Sequence, residues 1–389
     1  MSVHVADHSW LPDHQLHVVA TLAHVDQTIE RVVRLIHDYT ERGTLVLDNV
    51  VDGDREHVTV TAIVPLPEAI PRLVADALTQ LRAALEHTLY AEIEHQTPRP
   101  LTDREARGIE MPAFTDAAKF DVWLSDGRRK HLPSLQSSAL LAQRIRMLQP
   151  FQDGDADSHP LRLLTEYTNL AKHRTPAVAA TRLGAVHPDY PHPEVTVALP
   201  LKLNPQPGDG LPLRPGDILA SAPKGVRIGI SITPSVALQR PHTAEWHIAA
   251  LELGDLEDWV RTTALPILLT GSRNVTPLPP HLDITVGHED LRQELRRAGT
   301  LSAARRAKRR LAVASARSGL VDLLTPYAAP TPPQVIGAWL STMDDTTVLK
   351  LMDRLVRAAA TSPHASIQAV DALLAELDGY KASAATEAG

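Results

Sequence analysis

The chain has 389 residues, 43% of them hydrophobic, enough for two or three domains with real cores. It has no cysteine and only 4% aromatic residues, which excludes disulfides, thiolate metal sites and a cysteine nucleophile and fits a reducing compartment. The net charge of −7 is uneven: Arg292 to Arg317 carries nine basic residues against one acid, Glu294, so a local +8 leaves −15 for the rest, a pattern of local anion binding rather than of a general polyanion binder.

The N-terminal run MSVHVADHSWLPDHQLH lacks the basic start and apolar core of a signal peptide. No apolar stretch approaches the roughly 18–20 residues of a bilayer span. The expectation is a cytoplasmic chain with no membrane partner. His4, Asp7, His8, Asp13, His14 and His17 are ligand types, but Pro12 and the terminal position predict a mobile segment with adventitious affinity at most, so no metal site and no cofactor are assigned.

Residues 15–42 have helical spacing from Leu16 through Ile36, stopped by Gly43. Two β-branched runs around an Asp-Gly-Asp centre predict a hairpin at about 44–65. A second helix, about 67–94, carries the stripe Ile70, Leu73, Val74, Ala77, Leu78, Leu81, Ala84, Leu85, Leu89. A helical region at about 116–148 and a helix at 160–174 follow, the latter closed by Pro176. From Glu194 to Leu253 the period changes to two, and VTVALPLKL, GVRIGISI and EWHIAALEL predict strands. Residues 255–270 read as a returning helix, and about 283–380 as helical throughout, with proline breaks at 326–333 and 363.

No Walker A loop, no dinucleotide glycine fingerprint and no nucleophile elbow occurs, which argues against P-loop hydrolysis and serine chemistry. The stretch that bears on function is QLRAALEHTL, residues 80–89, with Arg82 and His87 on a core-facing helix. The spacing alone is weak: it occurs again at Arg182 and His187, in what reads as a proline-flanked loop. At about 100° per residue the two side chains of 80–89 stand some 140° apart, with Glu86 and Tyr90 between them. They converge on one atom only if a second helix faces this one, as in a symmetric dimer. Otherwise Arg82 pairs with Glu86 at i,i+4 and His87 is a half-exposed flank residue.

LRAALEHTLY resembles the NLRSALDHL signature of a large group of uncharacterised bacterial and phage proteins. Order and spacing match over about 15–180: a helix, a hairpin, the signature, then IEMPAF (109–114) for an F-P-I-like element, LQPF (148–151) for Q-P-Y, and NLAKHR (169–174) for N-x-D-K-H-R. Ala83, Glu86 and Ala171 replace a Ser and two Asp of that pattern. The signature is also similar to the R-x4–6-H motif of HEPN domains, many of them metal-independent, dimeric ribonucleases. That resemblance implies attack by a ribose 2′-OH on the adjacent phosphate, with His87 as general acid or base and Arg82 stabilising the phosphorane charge. It implies phosphate-binding or orienting support from Glu86, Asn169, Lys172, His173 and Arg174, and a toxin or phage-defence role. The bland alternative for NLAKHR is three cations at a helix C-terminus.

Arg305, Arg306, Lys308, Arg309 and Arg310 form the best nucleic-acid-binding candidate, with affinity that falls with salt. No aromatic residues interleave it, so base stacking is not indicated there; a solvated helix face is the alternative. The expected fold is α+β: a HEPN-like helical module with the inserted hairpin (1–180), a β-rich segment with its return helix packed on it (181–275), and a helical C-terminal domain (281–389). RNA, a second copy of the chain and a protein bound through the C-terminal helices are the expected partners. The rival function is a non-catalytic nucleic-acid-binding or protein-interaction module on the same fold, and a third is a small-ligand sensor.

Overall fold

The structure is a computed structural model that describes residues 7–190, 192–198 and 211–387. The chain divides into two compact units, Met1–Ala304 and Arg305–Gly389. The first opens with α1 (His17–Glu41), a hairpin of β1 (Leu45–Asp52) and β2 (Arg55–Ile63), and α2 (Ala69–Gln96). α1 ends where Gly43 takes a φ of 84°, a left-handed cap that L side chains resist. The hairpin closes through Gly53 and Asp54 alone, with positive φ at Gly53, as a II′ turn requires. α1 and α2 bury the two apolar stripes that the spacing predicts, with Val18, Leu22, Ile29 and Val32 facing Val74, Leu78, Leu81 and Leu85. Each fully buried Leu or Ile there contributes about 1.5–3 kcal/mol relative to exposure.

The expected helical region at 116–148 is broken. After α3 (Asp103–Ala106) come α4 (Ala117–Ser125), a turn and an irregular stretch, and α5 (Leu140–Met147). SDGRRKHLPS carries Gly127 and Pro133, and Asp126 ends α4 with non-helical backbone. α6 (Pro160–His173) stands as expected, its N-terminus capped by His159.

The β region differs more. β3 (Ala179–Pro188) holds Arg182 and His187 in a strand, not a loop. The other strands are β4 (Thr196–Val197), β5 (Leu211–Pro212), β6 (Ile218–Pro223), β7 (Ile230–Gln239) and β8 (Trp246–Ile248). Residues 199–203 of VTVALPLKL lie outside the described residues. In EWHIAALEL only 246–248 are strand; α7 (Ala249–Trp259) begins at once, because Ala249, Leu253, Leu256 and Val260 are buried at helical spacing. α8 (Leu265–Thr270) completes the return.

The strands form two antiparallel sheets, ordered β1-β2-β6-β4 and β5-β3-β7-β8. The hairpin is therefore part of the β region: Val58 of β2 pairs with Ala220 of β6. Val60, Leu183, Val186 and Leu219 form the core between the sheets. No separate β domain results.

Nor does the boundary fall at 281. Residues up to α9 (Leu291–Arg297) belong to the first unit. Arg292 donates to Asp13 and to the Leu11 carbonyl, and buried Asp26 accepts the Ala303 N–H at 2.6 Å. The second unit holds most of α10 (Ala303–Leu324), then α11 (Pro333–Ser341), α12 (Asp345–Thr361) and α13 (Pro363–Glu387), around Leu320, Ile336, Leu340, Val348 and Leu373. Among the described residues no helix is long and apolar enough to cross a membrane.

Candidate functional site

Arg82 lies in the middle of α2 with its side chain 12% exposed, and both of its terminal nitrogens are engaged. Nη1 donates to Thr165 Oγ1 of α6 at 3.0 Å, Nη2 donates to the Met111 carbonyl, and Glu86 Oε1 lies 2.7 Å from Nη2. Glu86 in turn accepts the Met111 N–H through Oε2 at 2.6 Å. Burial raises the Glu86 carboxyl above its ordinary value, against the pull of Arg82 and of the Met111 N–H. The i,i+4 pair thus grips both polar groups of one residue in an irregular segment.

A second clamp acts on the same segment. Fully buried Gln149 donates to the Pro112 carbonyl at 3.0 Å and accepts the Phe114 N–H at 3.1 Å. Phe151 N–H donates to the Phe114 carbonyl at 3.3 Å. LRAALEHTLY, IEMPAF and LQPF are therefore one hydrogen-bonded unit. An irregular buried segment has no helix or sheet to satisfy its backbone, so side chains must do it.

His87 is exposed; its ring neighbour is His17 on α1, 6.5 Å away between centroids. It does not meet Arg82. Asn169, Lys172, His173 and Arg174 are exposed at the C-terminal end of α6, and none bonds Arg82 or His87. Their direction follows from three contacts. Tyr39, at the end of α1, bonds Thr181 of β3 and Val64 just before α2. Tyr167 meets Glu252 near the start of α7, whereas His159 stacks edge-on against Trp259 at its end. α6 thus runs toward the sheets, antiparallel to α2, and from the Arg82–Thr165 level the motif and His87 diverge. At 1.5 Å rise per residue they are roughly 13–20 Å apart.

The N-terminal histidines from residue 7 on are bonded into the fold. His8 is buried and bonds the Pro277 carbonyl at 3.1 Å, Trp10 donates to the Thr276 carbonyl, and His14 meets buried Glu92 at 2.6 Å. His4 lies outside the described residues. Among the described residues no cluster of His, Cys, Asp or Glu is arranged to hold a metal ion.

The basic run lies on α10. Arg305, Lys308, Arg309 and Arg310 are exposed and Arg306 is half-buried, while Ala303, Ala307 and Val313 are buried. Arg309 donates to Thr346 Oγ1 at 2.7 Å. Two polar groupings escaped the sequence reading. Arg240 and Glu252 form a buried bidentate pair at 2.9 and 2.9 Å, to which Tyr167 donates; burial pushes its phenol far above its ordinary value. Their separation in sequence left no signal. The other is the basic turn Gly127–His131, visible as GRRKH but hidden inside an expected helix. Compared with known proteins, the chain matches no protein-family model, no curated protein and no solved structure.

Proposed function

We propose that the chain is a non-catalytic nucleic-acid-binding module, built on a HEPN-like pair of helices with an inserted hairpin, and that RNA is its partner. The observation that carries the reading is the commitment of Arg82. A guanidinium held by Met111, Thr165 and Glu86 has no free fork to offer a phosphorane, and its withdrawal would cost the fold. Exposed cations that suit a phosphate backbone are Lys308 on α10 and Arg128 and Lys130 of the basic turn.

The exposed position of His87 favours one second reading, a metal-independent ribonuclease completed by another copy of the chain. One experiment separates the two. RNA binding and cleavage are measured on the full chain with EDTA present, for wild type and His87→Ala, with the dimer content followed. Salt-sensitive binding without cleavage supports the module. Cleavage that leaves 2′,3′-cyclic phosphate ends and vanishes in His87→Ala overturns it in favour of the ribonuclease.

A further inference from the structure

Arg104 on α3 and the turn 127–131 after α4 border a polar recess of about 290 Å³, lined by Thr102, Arg104, Glu105, Gly127, Arg128, Lys130 and His131. A larger cleft of about 500 Å³ adjoins it through the shared Arg128; Phe114, Ala118, Val122 and Trp123 form its apolar wall, and Glu110, Lys119 and Asp126 also line it. One side is cationic and the other largely apolar.

The recess is positive in net effect. Glu105 accepts a bidentate pair from Arg99 at 2.9 and 2.7 Å and two bonds from Thr102, and the Arg99 bonds foremost hold its carboxyl well below the usual range. Its charge is spent. Arg128 gives its Nε to Asp126 at 3.1 Å. Arg104 and Lys130 are exposed, and no acid pairs with either among the described residues.

The turn is held rigidly. Buried Arg129 lies over the Trp123 ring at 4.5 Å and donates to the Trp123 and Gly108 carbonyls at 2.9 and 2.6 Å. Gln136 donates to the Lys130 carbonyl at 2.6 Å. At Gly108 a Cβ would stand 2.8 Å from Arg128 Cβ, so only glycine lets the turn close onto this segment. Arg129 and Phe120 cover the Trp123 ring, which leaves Phe114 and Val122 as the apolar shelf. Phe114 is fixed by Gln149, in the same unit that consumes Arg82.

We propose that Arg104, Lys130 and Arg128 hold the phosphate of a nucleotide whose base rests on the Phe114–Val122 shelf. The nucleotide can be free or part of an RNA strand; in the second case the inference deepens the reading above and rests on it. Oriented cations beside an apolar wall suit this chemistry, since guanidinium and ammonium donors match phosphate oxygens and any base offers an apolar face.

The test uses the full chain and three probes: a short fluorescein-labelled oligouridylate, adenosine monophosphate and inorganic phosphate, each titrated at low salt. Arg104→Ala/Lys130→Ala is compared with Arg104→Lys/Lys130→Arg, and thermal melting confirms that both exposed pairs of changes leave the fold intact. The alanine pair should weaken the RNA and the monophosphate by at least about tenfold. It should lower the slope of log affinity on log salt for RNA by about 0.7, and the charge-preserving pair should retain binding. The monophosphate should bind about tenfold or more tighter than phosphate itself. RNA binding untouched by the alanine pair would overturn the pocket and leave the RNA reading standing. Monophosphate binding that the alanine pair abolishes, without any RNA binding, would support the pocket and end the RNA reading. No binding of any probe would overturn the pocket.

Discussion

Arg82→Ala separates strut from catalyst. The substitution removes a side chain that is 12% exposed and joins α2 to the Met111 carbonyl and to Thr165. It also strands Glu86, whose carboxyl burial already raises and which is 29% exposed. Hydrogen bonds to charged groups contribute about 1.5–3 kcal/mol each, and removing one partner of a buried pair costs about 3–5 kcal/mol. Glu86 keeps some solvent and the contributions overlap, so the loss should be about 3 kcal/mol. For a unit of this size that lowers Tm by roughly 5 °C. Arg82→Ala/Glu86→Ala should recover about 1 kcal/mol of it, since no carboxylate is left unpaired. Calorimetry gives the Tm, and amide exchange at Met111 and Phe114 should accelerate in the single variant. A Tm within about 1 °C of wild type, with exchange unchanged, would refute the strut.

Three further outcomes follow from buried polar groups and tight contacts. Gln149→Ala leaves the Pro112 carbonyl and the Phe114 N–H unpaired and should cost about 2–3 kcal/mol in urea unfolding, with an unchanged m-value. Gly254→Ala would bring a Cβ to 2.7 Å from Ala304 Cβ; overpacking there should cost about 1–3 kcal/mol, read as a lower Tm. His159 caps α6 by accepting the Leu161 N–H at Nδ1, at 3.2 Å, and burial lowers its pKa from 6.5. A depressed histidine binds its proton more readily when unfolded, so stability should fall as pH drops below about 6.5. His159→Asn keeps a capping oxygen and should flatten Tm between about pH 6.5 and 5; an unaltered profile would show that another group titrates.

Helices with one apolar face were legible because their period is set locally. α1 and α2 bury most of the stripes that the spacing marks. The strands were less so, because a short apolar run carries no period of its own. β3, with Arg182 between Thr181 and Leu183, lacks clean alternation and is defined by its nine pairings with β7. EWHIAALEL reads as a strand because it ends before the helical spacing of Ala249, Leu253, Leu256 and Val260 is complete, and the burial of Glu252 against Arg240 is a contact that no local rule encodes. The domain limit at 281 was misplaced for the same reason: Asp26 holds Ala303 from far along the chain.

At the candidate site, the i,i+4 half of the reading could be worked out from the helix alone, and it accounts for Arg82. Residues four apart stack on one face, so Arg82 and Glu86 were bound to compete with any pairing of Arg82 to His87. What the sequence could not supply was the segment they grip. Residues 109–114 have no period, and their need for donors and acceptors appears only once they are buried. LRAALEHTLY, IEMPAF and LQPF then share a structural role that requires no reaction: each contributes one part of a single clamp. A catalytic reading explains Arg82 and His87 but leaves Gln149 and IEMPAF without a role. The clamp explains Arg82, Glu86, Gln149 and the segment between them, and leaves His87 and the NLAKHR cations as exposed groups free to act elsewhere. It also fixes Phe114, which lines the cleft beside the basic turn.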